Sequence, residues 1–322
     1  MDEIKTIAVI GAGAVGCFYG AKIASAGYRV KFLMRRDYEA VKQRGLTVRS
    51  IWGDFHLKAE VYRAPEEIGP VDLAICALKT TVLDQARPLL APVVGPATRI
   101  LALVNGLGVE ERLAQWFDPG RILGGLAFTC INRLEPGHIH HLDYGYVLIC
   151  HMQGDAASAE QVTAVFRQGG IKTDVCDSIK KARWQKLCWN IPYNTLSITA
   201  GGVTTEQIMK DAGLRHLVER LMGEVMAGAA ADGAVLPENL PQQMMDNTVK
   251  MKPYKTSMLI DYENRQPLEL EYILAEPIRR AEAGGVPVPY MKGQYWLASF
   301  LDRLNRGLVP GGEGPTCSAP AP

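Results

Sequence analysis

Apolar runs alternate with helical patterns over the first half of the chain. The first run covers residues 7–10, and others lie at 28–34, 71–77, 100–104 and 122–128. Strands that alternate with helices predict a parallel sheet with helices on both faces. Over 135–151 the pattern changes to short strands separated by turns, which we expect to add antiparallel to the sheet edge. A helix at 156–168 and a strand at 171–175 complete this part of the chain.

The strand pattern disappears from about Ser178, and helical stretches such as 214–232 and 267–283 follow. A helix bundle is therefore predicted for the second half. The sequence indicates an α/β fold, with a doubly wound sheet domain at 1–177 and an all-helical domain at 178–309. The Pro/Gly-rich tail, 310–322, is predicted to be disordered.

The turn after the first strand has the sequence Gly11-Ala12-Gly13-Ala14-Val15-Gly16. In a Rossmann-type domain Gly11 permits the tight turn, Gly13 lets the backbone approach a pyrophosphate, and Gly16 allows helix and strand to pack closely. The helix start adds free N–H groups and a partial positive charge. Glycines also mark ordinary turns, but the strand before and the helix after favour a dinucleotide site.

The end of the second strand indicates which dinucleotide binds. NAD enzymes usually place Asp or Glu about 20 residues past the glycine motif, to bind the ribose 2′-hydroxyl. Arg35 and Arg36 stand there instead. Because a guanidinium suits a phosphate, the pair favours NADP(H). Two alternatives stay open: adjacent arginines can form a solvated loop, and Asp37 beside them could weaken the phosphate preference.

Composition and charge narrow the class of protein. The chain has 322 residues, of which 48% are hydrophobic and 21% charged, which is typical of a two-domain globular enzyme. A formal charge of +1 gives no electrostatic case for nucleic acid or a membrane surface. No apolar stretch approaches the ~20 residues of a membrane span, and the N-terminus reads as a strand rather than a signal peptide. We therefore expect a cytoplasmic protein.

Cysteines and histidines give no metal-binding pattern. The seven cysteines are scattered and lack a CxxC spacing, so we expect reduced thiols that pack as small hydrophobic residues. His138, His140 and His141 alternate as on a strand, but no acidic or cysteine partners accompany them. No metal site is expected.

Candidate chemistry lies in the helical half. Lys186, Asn190 and Asn194 recur every four positions among largely apolar neighbours, which places them on one helical face. Such a face is either solvated or turned into a buried polar cleft. Two asparagines, which are mediocre helix formers, favour specific hydrogen bonds. Pro192 should kink or end the helix and makes Asn194 the least secure of the three.

Taken together, these motifs resemble the ketopantoate reductase (2-dehydropantoate 2-reductase) family over about residues 4–306. The similarity includes the glycine turn, Arg35, and further motifs in the family's order: Ala77-Leu78-Lys79, Val104-Asn105-Gly106, Trp184-Gln185-Lys186-Leu187, Thr256-Ser257-Met258, Pro267-Leu268-Glu269 and Gly285-Val286-Pro287. Leu268 departs from the family, which more often has Thr before the glutamate.

The resemblance implies NADPH-dependent reduction of 2-dehydropantoate to (R)-pantoate, on the route to vitamin B5 and coenzyme A. Lys186 matches the catalytic lysine, whose ammonium stabilises the developing alkoxide and donates a proton. Glu269 matches a glutamate that binds the substrate hydroxyl and pairs with the lysine. An isolated Glu on a helix is more often a surface group, and Glu271 is the rival if the register differs.

Other site residues follow from the same resemblance. Lys79 and Asn105 match residues near the nicotinamide ribose and substrate, although Asn-Gly is also a common turn. Ser257 matches a serine that binds the substrate carboxylate, but it could equally be a helix N-cap. Asn190 and Asn194 match amides that line the same pocket.

Two alternatives to a ketopantoate reductase stay open: a reductase of a different 2-keto acid, and a regulator that senses NADP(H) without turnover. The family includes monomers and dimers, so a homodimer is one expected state.

Overall fold

The computed structural model describes residues 3–154 and 156–309. The chain divides into two compact units, and the boundary falls between Ile179 and Lys180. We refer to residues 3–179 as the N-terminal unit and 180–309 as the C-terminal unit. The predicted disorder of the tail at 310–322 concerns residues outside the described ranges.

The N-terminal unit is built on one sheet of ten strands among its described residues. In chain order these are β1 (Thr6–Ile10), β2 (Arg29–Leu33), β3 (Leu46–Ser50), β4 (Phe55–Leu57), β5 (Glu60–Tyr62), β6 (Val71–Cys76), β7 (Val94–Ala102), β8 (Ile122–Glu135), β9 (His138–His151) and β10 (Thr173–Cys176). The spatial order is β4-β3-β9-β8-β7-β6-β1-β2-β5, and β10 pairs with β9. All pairings are parallel except β3–β4 and β8–β9.

Helices of this unit connect the parallel strands. They are α1 (Ala14–Ser25), α2 (Tyr38–Arg44), α3 (Ala86–Leu90), α4 (Val109–Ala114) and α5 (Ala156–Gln168). One hydrophobic core joins α1 and α5 to the sheet, with Phe18 and Phe166 packed among β-branched residues such as Val9 and Ile149. Fully burying side chains of this size contributes ~1.5–3 kcal/mol each, which fixes α1 against β1.

The antiparallel segment differs in part from the prediction. The structure confirms an antiparallel pair, but β9 is one 14-residue strand between β8 and β3 rather than two short strands at the edge. The expected turn is a bulge within this strand: Tyr144 (φ 58°) and Gly145 (φ 113°) adopt positive φ, and the pairing register with β8 shifts there. A bulge absorbs the extra residue without ending the ladder.

The prediction that all cysteines are reduced is wrong for one pair. Cys150 on β9 and Cys176 on β10 are register partners and are joined by a disulfide, with a Cα–Cα distance of 4.9 Å. Cys17, Cys76, Cys130 and Cys188 are buried and form no disulfide, as the packing interpretation expects. Cys317 lies outside the described residues.

The C-terminal unit is helical, and residues 177–309 contain no strand. Its helices are α6 (Ile179–Thr199), α7 (Thr205–Lys210), α8 (Ala212–Ala231), α9 (Leu240–Lys250), α10 (Ser257–Glu263), α11 (Glu276–Ala283) and α12 (Pro289–Asn305). The helix predicted at 267–283 is shorter, because one turn of π-helix, Glu271–Ala275, precedes α11. In the described part of the chain, no helix has the length and apolar composition needed to cross a bilayer.

Candidate active site

Four neighbouring parallel strands bring the predicted cofactor residues to one edge of the sheet. In the register of β7, β6, β1 and β2, Ile10 pairs with Leu33 and Cys76, and Cys76 pairs with Ala102. The segments that leave the carboxyl ends of these strands carry Gly11, Arg35, Lys79 and Asn105. Open α/β sheets bind ligands at this edge, so the arrangement suits a dinucleotide.

The three glycines of the first turn have separate structural roles. Gly11 has φ +94°, and a Cβ there would lie 2.6 Å from backbone atoms of Ala77 and Leu78. A Cβ on Gly16 would lie 2.5 Å from the Gly11 carbonyl oxygen. A Cβ on Gly13, by contrast, would have no protein atom within 4 Å, so its backbone faces open space. Gly13 is also the N-cap of α1, and no side chain caps that helix. Backbone N–H groups beside open space suit a pyrophosphate.

The two arginines after β2 are exposed, whereas the acidic residue beside them is buried and paired. Arg35 and Arg36 are exposed, and neither makes an ion pair or hydrogen bond with the described residues. Asp37 is buried, 4% exposed, and accepts hydrogen bonds from Arg133 and the Gly137 N–H. Asp37 is therefore paired with Arg133 and does not offset the charge of Arg35 and Arg36. This differs from the alternative in which Asp37 weakens the phosphate preference.

Lys79 and Asn105 sit just beyond β6 and β7. Lys79 is exposed and immediately precedes a short 3₁₀ segment, Thr80–Gln85. Asn105 is half-buried, and Gly106 after it has φ +103°. The chain bends at Gly106, so Asn105 lies directly before a bend at the carboxyl end of β7.

Lys186, Asn190 and Asn194 lie on one unbroken helix, α6. Pro192 was predicted to kink or end the helix, but α6 runs through it to Thr199, so the predicted end does not occur. Nearby, the Thr195 hydroxyl donates to the Ile191 carbonyl at 2.7 Å. Packing around α6 overrides the loss of one backbone hydrogen bond.

Both asparagines on this face are buried, with 6% of Asn190 and 2% of Asn194 exposed. The solvated-face interpretation is therefore wrong for them. The structure shows no hydrogen bond from either side-chain amide to a described residue, and neither amide is among the fully buried polar groups that lack a partner. The amide atoms therefore keep some accessible surface, although the residues as a whole are buried. Two such amides, one turn apart, offer donors and acceptors to a polar ligand on this face of α6.

The Lys186 amine has an unusual electrostatic environment. Its side chain is half-buried, and its pKa is lowered to about 7 from the ordinary value of 10.5. Burial is the largest cause, and the positive charge of Arg183, one turn earlier on α6 and fully buried, acts in the same direction. The carboxylate of Glu269 opposes both effects. A lysine with a pKa near neutrality can exchange its proton readily at physiological pH.

The two candidate carboxylates, Glu269 and Glu271, differ in burial and in their charged neighbours. Glu269 is buried, lies just before the π-helical turn, and interacts electrostatically with Lys186. Glu271 is exposed and accepts a hydrogen bond from Arg279 at 2.6 Å. The π-helical turn, a feature often found at functional sites, begins at Glu271, and residues two positions apart at a helix start do not share a face.

Ser257 is brought close to the Asn194 end of α6. The N-cap of α10 is Thr256, which accepts from the Leu259 N–H, so Ser257 is not the cap. The Thr256 hydroxyl also bonds that of Ser197 at 2.8 Å, and the Ser197 hydroxyl donates to the Asn194 carbonyl. This chain of bonds fixes α10 against α6, while the exposed Ser257 hydroxyl stays available.

Sequence reasoning missed Arg183. Its spacing of three residues from Lys186, which puts both on one helical face, was the available signal.

Of the three histidines at 138–141, His141 has a structural role. Burial lowers its pKa, and its ring bonds Ser50 and the carbonyls of Asp143 and Tyr144. Within the described ranges, no group of three or more His, Cys, Asp or Glu side chains could hold a metal ion.

The chain is similar to known proteins over most of its length. The family model "Ketopantoate reductase PanE/ApbA" matches residues 7–154, and its C-terminal counterpart matches 178–301. A 2-dehydropantoate 2-reductase of Nostoc sp. is 42% identical over 313 residues, 95% of this chain and 98% of that protein. The crystal structure of the Geobacter metallireducens 2-dehydropantoate 2-reductase is 42% identical, covering 92% and 99% of the two chains with a TM-score of 0.90. The Methylococcus capsulatus enzyme, 35% identical, covers 93% and 97% with a TM-score of 0.86.

Proposed function

We propose the function of this chain from one premise, that it belongs to the ketopantoate reductase family. The chain is an oxidoreductase of that family. We infer that it reduces the ketone of 2-dehydropantoate to (R)-pantoate with NADPH, in the biosynthesis of pantothenate and coenzyme A. The observation that carries this proposal is the α6 face, where a lysine with a pKa of about 7 is followed at four-residue spacing by Asn190 and Asn194, both largely buried.

The N-terminal unit is proposed to hold the dinucleotide. Its pyrophosphate would lie on the turn of residues 11–16, where the backbone of Gly13 faces open space. The unpaired guanidiniums at the end of β2, Arg35 first, would bind the 2′-phosphate. Lys79 and Asn105, at the same sheet edge, would contact the nicotinamide ribose. When bound, the cofactor supplies the hydride that the carbonyl carbon needs.

Lys186 is proposed to be the proton donor. As the new C–H bond forms, the carbonyl π electrons move to the oxygen, and the ammonium stabilises this charge. The oxygen then takes a proton from Nζ, which leaves a neutral amine that is reprotonated from water. A pKa of about 7 keeps both forms accessible near neutral pH. Glu269 favours the charged form of Lys186 before transfer and would accept a hydrogen bond from the substrate hydroxyl.

The remaining polar groups would orient the substrate. The Ser257 hydroxyl suits the substrate carboxylate, and the amides of Asn190 and Asn194 can each donate and accept hydrogen bonds. Their four-residue spacing on α6 would present both amides to one ligand beside that face.

The test is NADPH oxidation by the purified protein with 2-dehydropantoate, with NADH and other 2-keto acids measured alongside. We expect the highest kcat/KM for the pair 2-dehydropantoate and NADPH. Preference for another keto acid would make the chain a reductase of that acid. NADPH binding without oxidation of the cofactor by any keto acid would instead favour a sensing regulator.

A further inference from the structure

The connection between β2 and α2 has more arginines than carboxylates around it. Arg35 and Arg36 are exposed and unpaired within the described residues. The acids that follow, Asp37 and Glu39, each pair with an arginine from elsewhere in the unit, Arg133 and Arg63. Both local carboxylates are therefore neutralised, and two positive charges remain where a 2′-phosphate would bind.

The two acid–arginine pairs differ in burial. Arg133 on β8 reaches both oxygens of Asp37, at 3.1 and 3.3 Å, and the Gly137 N–H approaches the same carboxylate at 3.4 Å. The Asp37 side chain is only 5% exposed. The Glu39 side chain, paired with Arg63, is 62% exposed. Loss of Arg133 would leave a buried charge unpaired, whereas loss of Arg63 would leave a solvated one.

Asp37 occupies a sensitive position. It follows β2, where many dinucleotide-binding enzymes have an acidic residue. In those enzymes the acidic side chain binds the ribose hydroxyls. The pair also lies within electrostatic reach of α1: burial raises the pKa of the Cys17 thiol, the Asp37 charge adds to the rise, and Arg133 opposes it. A carboxylate turned outward here would repel a phosphate and attract a ribose diol.

We propose that Arg133 is a specificity-determining positioning residue of the cofactor site. By holding the Asp37 carboxylate in the β8–β9 hairpin, it keeps that group from the ribose edge and leaves Arg35 and Arg36 to a phosphorylated dinucleotide. This inference rests on the proposed use of NADPH.

The experiment compares kcat/KM and Kd for NADPH and NADH in the wild type and in R133M, D37N and the double variant. Arg63→Met is the matched control, since it removes one positive charge from a neighbouring pair. In R133M we expect the NADPH to NADH ratio to fall about tenfold or more, because the freed carboxylate opposes the phosphate. D37N alone should keep the wild-type ratio, and D37N/R133M should return to within about threefold of it. R63M should change the ratio less than about threefold.

Several outcomes would overturn the inference. A proportional loss with both cofactors in R133M, without rescue by D37N, would mean that Arg133 only stabilises the fold. A rise in NADH use in R63M equal to that in R133M would mean that net charge alone matters. If R133M does not fold, R133K replaces it, and an unchanged ratio in R133K together with an altered ratio in D37N would refute the positioning role. A preference of the wild type for NADH would instead contradict the proposed function. The wild-type measurement comes before any variant is made, so this outcome is distinguished from failure of the inference.

Discussion

The proton-donor role of Lys186 predicts a specific pH profile. Only the protonated amine can donate, so kcat/KM for ketone reduction should be level below a pKa of about 7 and fall about tenfold per pH unit above it. Oxidation of pantoate needs the neutral amine, and its rate should rise over the same interval. Both directions are measured from about pH 6 to about pH 9.5, with rapid mixing because NADPH is unstable in acid.

Substitutions beside Lys186 should move this profile in opposite directions. Glu269 raises the pKa of the amine, so Glu269→Gln should shift the midpoint to lower pH by about one unit, whatever it does to the plateau. Arg183 lowers the pKa, so Arg183→Gln should shift the midpoint to higher pH. Glu271→Gln is the matched control, since that carboxylate is exposed and paired with Arg279. A flat wild-type profile, or an alkaline shift in E269Q, would refute the reasoning.

Three further predictions follow from burial and open space around the site. Gly13→Ala should keep the Tm of the wild type but weaken NADPH binding at least about tenfold, because its Cβ meets no protein atom and only the ligand is obstructed; Gly223→Ala, equally uncrowded on α8, is the control for Kd and Tm. Asn194→Ala should raise KM for the keto acid about tenfold with little loss of stability, since its amide bonds nothing among the described residues; a large fall in Tm with unchanged KM would contradict this. In the unfolded chain Lys186 keeps an ordinary pKa of 10.5, so between about pH 7 and 10.5 the unfolded state binds one proton more than the folded state. Denaturant unfolding should therefore show Lys186→Met more stable than the wild type at neutral pH, by at most about 5 kcal/mol. This difference in the free energy of unfolding should shrink as the pH rises through that interval.

Local sequence signals could predict the cofactor edge of the fold. The glycine spacing reports directly on backbone geometry, because Gly11 has positive φ and Gly16 has no room for a Cβ. The stripe of Lys186, Asn190 and Asn194 has helical spacing, and α6 preserves it through Pro192. In these places a residue's conformation depends mainly on its near neighbours in sequence.

Features set by distant contacts could not be predicted. The strands β4 and β5 have three residues each, too few for a periodic signal, and β9 is continuous because pairing with β8 sustains it across a bulge. The Cys150–Cys176 bond depends on the register of two strands separated by a whole helix. Likewise, sequence could not show whether Asp37 faces outward, since its partner Arg133 lies 96 positions away.

The most direct test of the central claim is single-turnover reduction of 2-dehydropantoate by Lys186→Ala, with the Kd for NADPH measured on the same preparation. The account predicts an unchanged Kd and a rate of hydride consumption lowered by about 100-fold or more, since cofactor binding is intact and protonation of the alkoxide is lost. Turnover equal to that of the wild type would contradict it.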